Sequence, residues 1–410
     1  MAESSQVLAL DGARTPEPGL QRELDEAMGK IERFLSGMYG NETGYPELVR
    51  ERLAKLRSPE SVVKSDDVLR GELAERGTGM YRDRVTMGFY DSDKDRIVMR
   101  TDAGSKALLH EMLHFVSADV ADREGVRVGF LIKRKVGEGE YVGVNAVANE
   151  AMTVVLTEAI DRGLDIFSPD KRTAYAALKE TKLGLEKADL ARSYADPALA
   201  LVGEMREMVR IGTSYSGLGK HYIDPSGWQR DEIGVLLRKI EAVPRRRMMR
   251  ALEGVRVRLA DLGLGQETQK SALSFLKYLE TADGGAAFFY PENSQNPLEP
   301  IRVYPWLDGG AVAQINLDLP SLFADGFYYS HQGAMAYIYW SSLKFEAARA
   351  GDFLDDRDFY SHPKMVRFLS AIDSGDLATE VSRFTRHYLG VEAGASQNQA
   401  ILESRMARFR

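Results

Sequence analysis

Two histidines four residues apart, the first followed directly by a glutamate, demand a helix before anything else is known of the chain: His110-Glu111-Met112-Leu113-His114. On a helix, positions i and i+4 share one face about a turn apart, so both imidazoles can aim at a single ion. The flanking Leu108, Leu109, Met112, Leu113, Phe115 and Val116 supply the apolar surface such a helix would bury. Two neutral imidazoles suit zinc, and Glu111 projects beside them rather than between them. There its carboxylate can take a proton from a water attacking a carbonyl. Histidine occurs only six times in 410 residues, so the odds of a chance match are on the order of one in a hundred. The competing reading is a half-buried helix that carries these residues and no metal.

A catalytic zinc takes three protein ligands and keeps one position open. The chain has no cysteine, so the third ligand must be His, Asp or Glu. The position six residues past His114 is Val120 rather than a third histidine. Asp119 and Asp122 are close in sequence, but from the tail of the same helix they would have to fold back toward the ion. Glu150 is the better candidate, in Ala148-Asn149-Glu150-Ala151-Met152-Thr153. A carboxylate in so apolar a segment is costly to bury unless it is paired or coordinated. The alternatives for Glu150 are a solvent-facing position or a nearby Arg.

The hydrophobic pattern divides the chain into four regions: an N-terminal helical region 1–77, a core 78–165, a helical region 166–280 and a mostly helical C-terminal region 281–410. Leu24, Met28, Ile31, Leu35 and Met38 recur at helical spacing, in a pattern running from about Leu20 to Leu56. Alternation over Arg84–Tyr90 and Arg96–Arg100, around Asp91-Ser92-Asp93-Lys94-Asp95, predicts a β-hairpin that leads into the motif helix, with Asp102 or Ser105 as its cap. An extended segment is expected over 126–136, and a long apolar helix over 145–162. The fold class is α+β and predominantly helical: a small core of edge strand, motif helix and Glu-bearing helix, with large helical accessory regions.

His110–His114 followed by Asn149-Glu150-Ala151 resembles the gluzincin metallopeptidases, the thermolysin-like group of zincins whose third zinc ligand is a Glu on a second helix. The resemblance covers about a fifth of the chain, residues 84–160. It implies one Zn²⁺ bound by His110, His114 and Glu150, with Glu111 as general base. It also implies an edge strand around Gly88 and Phe89 that binds a peptide or protein substrate as an added strand. Thermolysin-like enzymes place an acidic residue four positions after the Glu ligand, where this chain has Val154; Thr153, Thr157 and Glu158 are the nearby groups that could orient a ligand instead. The lack of cysteine excludes the deformylase type of site.

Such enzymes add a Tyr or His that donates to the developing oxyanion. The candidates are His221 with Tyr222, expected in a loop before Asp224, and His331 with Tyr328 and Tyr329. Tyr337, Tyr339 and Trp340 read as helix core. Net charge is −7, which gives no global field for nucleic acid. The cluster Arg245, Arg246, Arg247 and Arg250 reads as a solvated helix face. No apolar run approaches the ~18 residues a membrane span needs, and Val7–Leu10 is too short for a signal-peptide core, so the expected location is cytoplasmic. Oligomeric state is left open. The leading expectation is a zinc metallopeptidase; the alternative is a non-catalytic interaction protein on a zincin scaffold, with an incomplete metal site.

Overall fold

The computed structural model describes residues 18–75, 87–119, 126–137, 140–213, 215–225, 230–261, 266–281, 287–289, 299–305, 310–317, 331–372 and 381–408. Among the described residues the structure is 69% helical and 12% strand, an α+β and predominantly helical fold, as the pattern predicts. Its helices are α1 (Pro18–Tyr39), α2 (Glu47–Leu56), α3 (Asp66–Glu75), α4 (Ser105–Val116), α5 (Ala146–Asp161), α6 (Lys171–Lys187), α7 (Arg192–Ile211), α8 (Ser216–Ile223), α9 (Arg230–Asp261) and α10 (Gln266–Glu280). The C-terminal region adds α11 (His331–Arg349), α12 (Pro363–Ala371), α13 (Val381–Leu389) and α14 (Ala395–Arg408). One continuous cluster of buried side chains reaches from Leu24 to Ile401. Among the described residues, no helix is long and apolar enough to cross a membrane.

Helix α5 lies at the centre. From Val147 to Ile160 every residue except Glu150 is buried, and the helix is enclosed by α1, α4, α6, α7 and α9. A helix apolar on all sides has no face to give to solvent, so it becomes the element around which the others pack. Helix α4 lies against α5 and buries Leu108, Leu109, Met112, Leu113, Phe115 and Val116. Full burial of one such side chain is worth about 1.5–3 kcal/mol, which holds the His110–His114 segment in helical register.

Strands β1 (Val62–Lys64), β2 (Gly88–Asp91) and β3 (Arg96–Met99) form a sheet in the order β1-β3-β2, with β1 parallel and β2 antiparallel to β3. Strand alternation puts Ile97 and Met99 into the main core, while Val98 and Phe89 meet Leu69 and Leu73 of α3 on the other face. Among the described strands β2 pairs only with β3, so its outer edge faces α4. A second sheet, β4 (Ala118–Asp119), β5 (Val126–Val128), β6 (Leu131–Gly137) and β7 (Glu140–Val144), is antiparallel throughout and joins α4 to α5. A third has the order β8 (Ala287–Phe289), β10 (Ala311–Asn316), β9 (Ile301–Pro305) and packs on α11, where Tyr337, Tyr339 and Trp340 are core as expected.

Several local expectations change. The helical pattern from Leu20 to Leu56 breaks at Gly40, whose φ is +92°, and restarts after Pro46. Gly104 precedes α4 without a side-chain cap, and Asp102 instead pairs with Arg100. The extended segment at 126–136 splits into two strands at Gly129. The arginine cluster is not uniformly solvated: Arg245 is buried, donating to the Leu279 carbonyl at 2.7 Å and stacking over Phe288, while Arg247 pairs with Asp196. Residues 84–86 of the expected hairpin lie outside the described residues.

Candidate metal centre

Helix α4 presents His110 and His114 on one face, ring centroids 4.9 Å apart. Glu150, in the second turn of α5, meets them both. Its Oε1 lies 2.9 Å from Nε2 of His110, and its Oε2 lies 3.3 Å from Nε2 of His114. One ligand atom from each of the three residues falls within 4.8 Å of the others, and the two carboxylate–imidazole separations are close to the ~3.3 Å between neighbouring ligand atoms around a tetrahedral ion with bonds near 2 Å. The side chains are 20%, 12% and 16% exposed, enclosed but still open to solvent on one side. Neither Asp119, on β4, nor any other described residue joins this group; Asp122 lies outside the described residues.

The charges support the geometry. Burial raises the Glu150 carboxyl, but the two imidazoles more than reverse this and hold it well below the usual carboxylate range. Burial lowers His110, yet the charge and hydrogen bond of Glu150, aided by Glu111, push it up to about 9. An ionised carboxylate beside two imidazoles is the donor set that a divalent cation replaces a proton in.

Glu111 turns toward the hairpin. The backbone N–H of Tyr90 donates to its Oε2 at 2.8 Å. That N–H points away from β3, and backbone groups alternate along an antiparallel strand, so the N–H and C=O of Gly88 face the same outer edge. Gly88 has no room for a side chain, because a Cβ would run into Met99 and the Val98 carbonyl. Phe89 faces α3 instead. The Tyr90 ring is fixed at its far end: its hydroxyl donates to Asp95 at 2.7 Å and accepts from Arg52 at 3.0 Å.

Two buried supports hold Glu150 from behind. Asn149 accepts at Oδ1 from the N–H groups of Phe130 (2.9 Å) and Leu131 (3.4 Å), which pins the start of α5 to the β5–β6 turn. Thr153 shares a 2.6 Å hydrogen bond with the hydroxyl of Tyr222. Of the other groups expected to orient a ligand, Glu158 is buried and pairs with Lys106 of α4 and with Arg162, tying the two helices together further along.

The loop expected at His221 and Tyr222 is helical instead. His221 and Tyr222 lie on α8, and it is Tyr222, fully buried, that reaches α5. His331 begins α11, and its side chain, like Tyr328 and Tyr329, lies outside the described residues. The sequence pattern does not single out Arg52 or Asn149 as site supports, and it offers Tyr222, with His221, only as an oxyanion donor. Asn149, directly before the glutamate, was the one with a usable signal: a buried amide in an apolar helix needs partners. No family model, curated protein or solved structure matches this chain.

Proposed function

We propose that the chain is a zinc-dependent peptidase, with His110, His114 and Glu150 as ligands and Glu111 as general base. The observation that carries this is the convergence of Glu150, from a separate helix, on both motif histidines at 2.9 and 3.3 Å. A non-catalytic zincin scaffold would be expected to let that carboxylate drift from the pair. His110, His114 and Glu150 would hold the divalent metal, which would supply Lewis acidity toward a substrate carbonyl and water. Glu111 takes the proton from the attacking water and hands it to the leaving amine. The Tyr90 N–H keeps the carboxylate turned to the side where an extended peptide would lie. That peptide lies along the outer edge of β2, its backbone pairing with Gly88, as strands add to sheet edges elsewhere.

The test is cleavage of a mixed-sequence peptide library by zinc-loaded protein, followed by mass spectrometry. Wild type is expected to cut. Glu111→Gln should lose at least about 100-fold in rate while keeping its metal. A zinc-loaded wild type that cleaves nothing, or a Glu111→Gln variant as active as wild type, overturns the reading.

A further inference from the structure

Tyr222 is tied to both helices that carry the metal ligands. Its hydroxyl shares a 2.6 Å hydrogen bond with Thr153 of α5, and its ring lies against Gly129, whose N–H donates to the Ser117 carbonyl at the end of α4 at 2.8 Å. Ser117 is three residues past His114, and Thr153 is three residues past Glu150. Residues three apart on a helix share a face, so each lies one turn beyond a ligand on the same side. Both are also tied to their own helices. Thr153 donates to the Asn149 carbonyl at 2.9 Å, and Ser117 to that of His114 at 3.2 Å. The ring is held as firmly: it meets Phe130 edge-on, and Gly129 approaches so closely that a Cβ there would fall 2.5 Å from Cε2 of Tyr222.

We infer that Tyr222 is a positioning residue for the metal centre, fixing the spacing of His114 and Glu150 by bridging the turns that follow them. Its side chain is fully buried, and its described hydrogen bond goes to Thr153 rather than to a ligand. Its route is through the helices, and its effect falls on metal affinity and coordination geometry. The inference rests on the metal-site reading given above. It assigns to a residue from α8, more than sixty positions past Glu150, the tie between the two ligand helices.

Tyr360 supplies a matched control. It is fully buried, and its hydroxyl bonds Thr385 at 2.6 Å in the C-terminal region, away from the site. The experiment is titration of full-length protein with Co²⁺, following the visible absorption bands, alongside thermal unfolding. Loss of an outer-shell support weakens metal binding about 10–100-fold. Tyr222→Phe is expected to bind Co²⁺ at least about tenfold more weakly, with altered bands, while Tyr360→Phe matches wild type in both at a similar cost in unfolding temperature. If Tyr222→Phe does not fold, Thr153→Val, which removes the same bond from the other side, is read in its place. Unchanged affinity and bands in the site variant, or an equal loss in Tyr360→Phe, overturns the inference while leaving the metal site standing. A wild type that takes up no Co²⁺ overturns the metal-site reading, and this inference with it.

Discussion

The backbone N–H of Tyr90 donates to Oε2 of Glu111 at 2.8 Å, and the hydroxyl of the same tyrosine is held by Asp95 and Arg52. The proposed base is thus oriented from the hairpin, and the hairpin is oriented from α2. Arg52 is nearly fully buried. It forks onto Asp95 at 2.6 and 2.7 Å, donates to the Phe115 carbonyl at 2.9 Å and lies 3.9 Å over the Phe115 ring. One guanidinium therefore joins α2, the hairpin turn and the end of the motif helix.

Arg52→Ala leaves Asp95 without its two-pronged partner and a buried carbonyl without its donor. Breaking a buried pair from one side costs about 3–5 kcal/mol. Arg52→Lys should recover less than half of the loss, because an ammonium can neither fork onto the carboxylate nor stack on Phe115 in the same way. Urea unfolding curves measure both; equal stability of the Lys variant and wild type would show that the fork contributes nothing.

Asp95 also sets a pH dependence. Burial raises its carboxyl, but hydrogen bonds from Arg52, Lys55 and Tyr90 outweigh this and bring it to about 2, against an ordinary 3.8. A folded value below the unfolded one means stability that is present above the ordinary value and lost as pH falls through the folded one. The stability gap between wild type and Asp95→Asn, about 2 kcal/mol at pH 7, should therefore narrow between pH 4 and pH 2. A gap that stays constant over that range would contradict the assignment.

Two glycines should respond in opposite directions to the same substitution. Gly129 has φ +55°, and a Cβ would lie 2.5 Å from both Asn149 Oδ1 and the Tyr222 ring. Gly129→Ala is expected to cost about 1–3 kcal/mol. Gly203 sits inside α7 with nothing within 4 Å of an added Cβ, so Gly203→Ala should gain about 0.5–1 kcal/mol. Thermal unfolding of the two variants decides both signs.

What the sequence made legible was local. The motif helix showed in the spacing of His110 and His114, and Glu150 stood out as a carboxylate in an apolar run. The supports were hidden because they are tertiary. Nothing near Arg52 announces that it will be buried against residues 95 and 115. Gly217 and Gly219 have the composition of a break, which hides α8 in the sequence. Gly219 in fact lets α8 pack closely: a Cβ there would stand 2.6 Å from Phe167 and 2.8 Å from Met38. With the helix missed, the orientation of Tyr222 into the core was missed too, and its neighbour His221 was preferred for its chemistry alone. The apolar pattern that ran through to Leu56 concealed a break for the same kind of reason, since Gly40 and Pro46 act through backbone geometry rather than hydropathy.

The measurement that bears hardest on the whole account is metal stoichiometry by mass spectrometry of elements, on protein purified without chelators and equilibrated with zinc. About one zinc per chain is expected in wild type and in Glu111→Gln, and a loss of most of it in His110→Ala and in Glu150→Ala. A metal-free wild type, or the same zinc content in the His110 and Glu150 variants as in wild type, would contradict it.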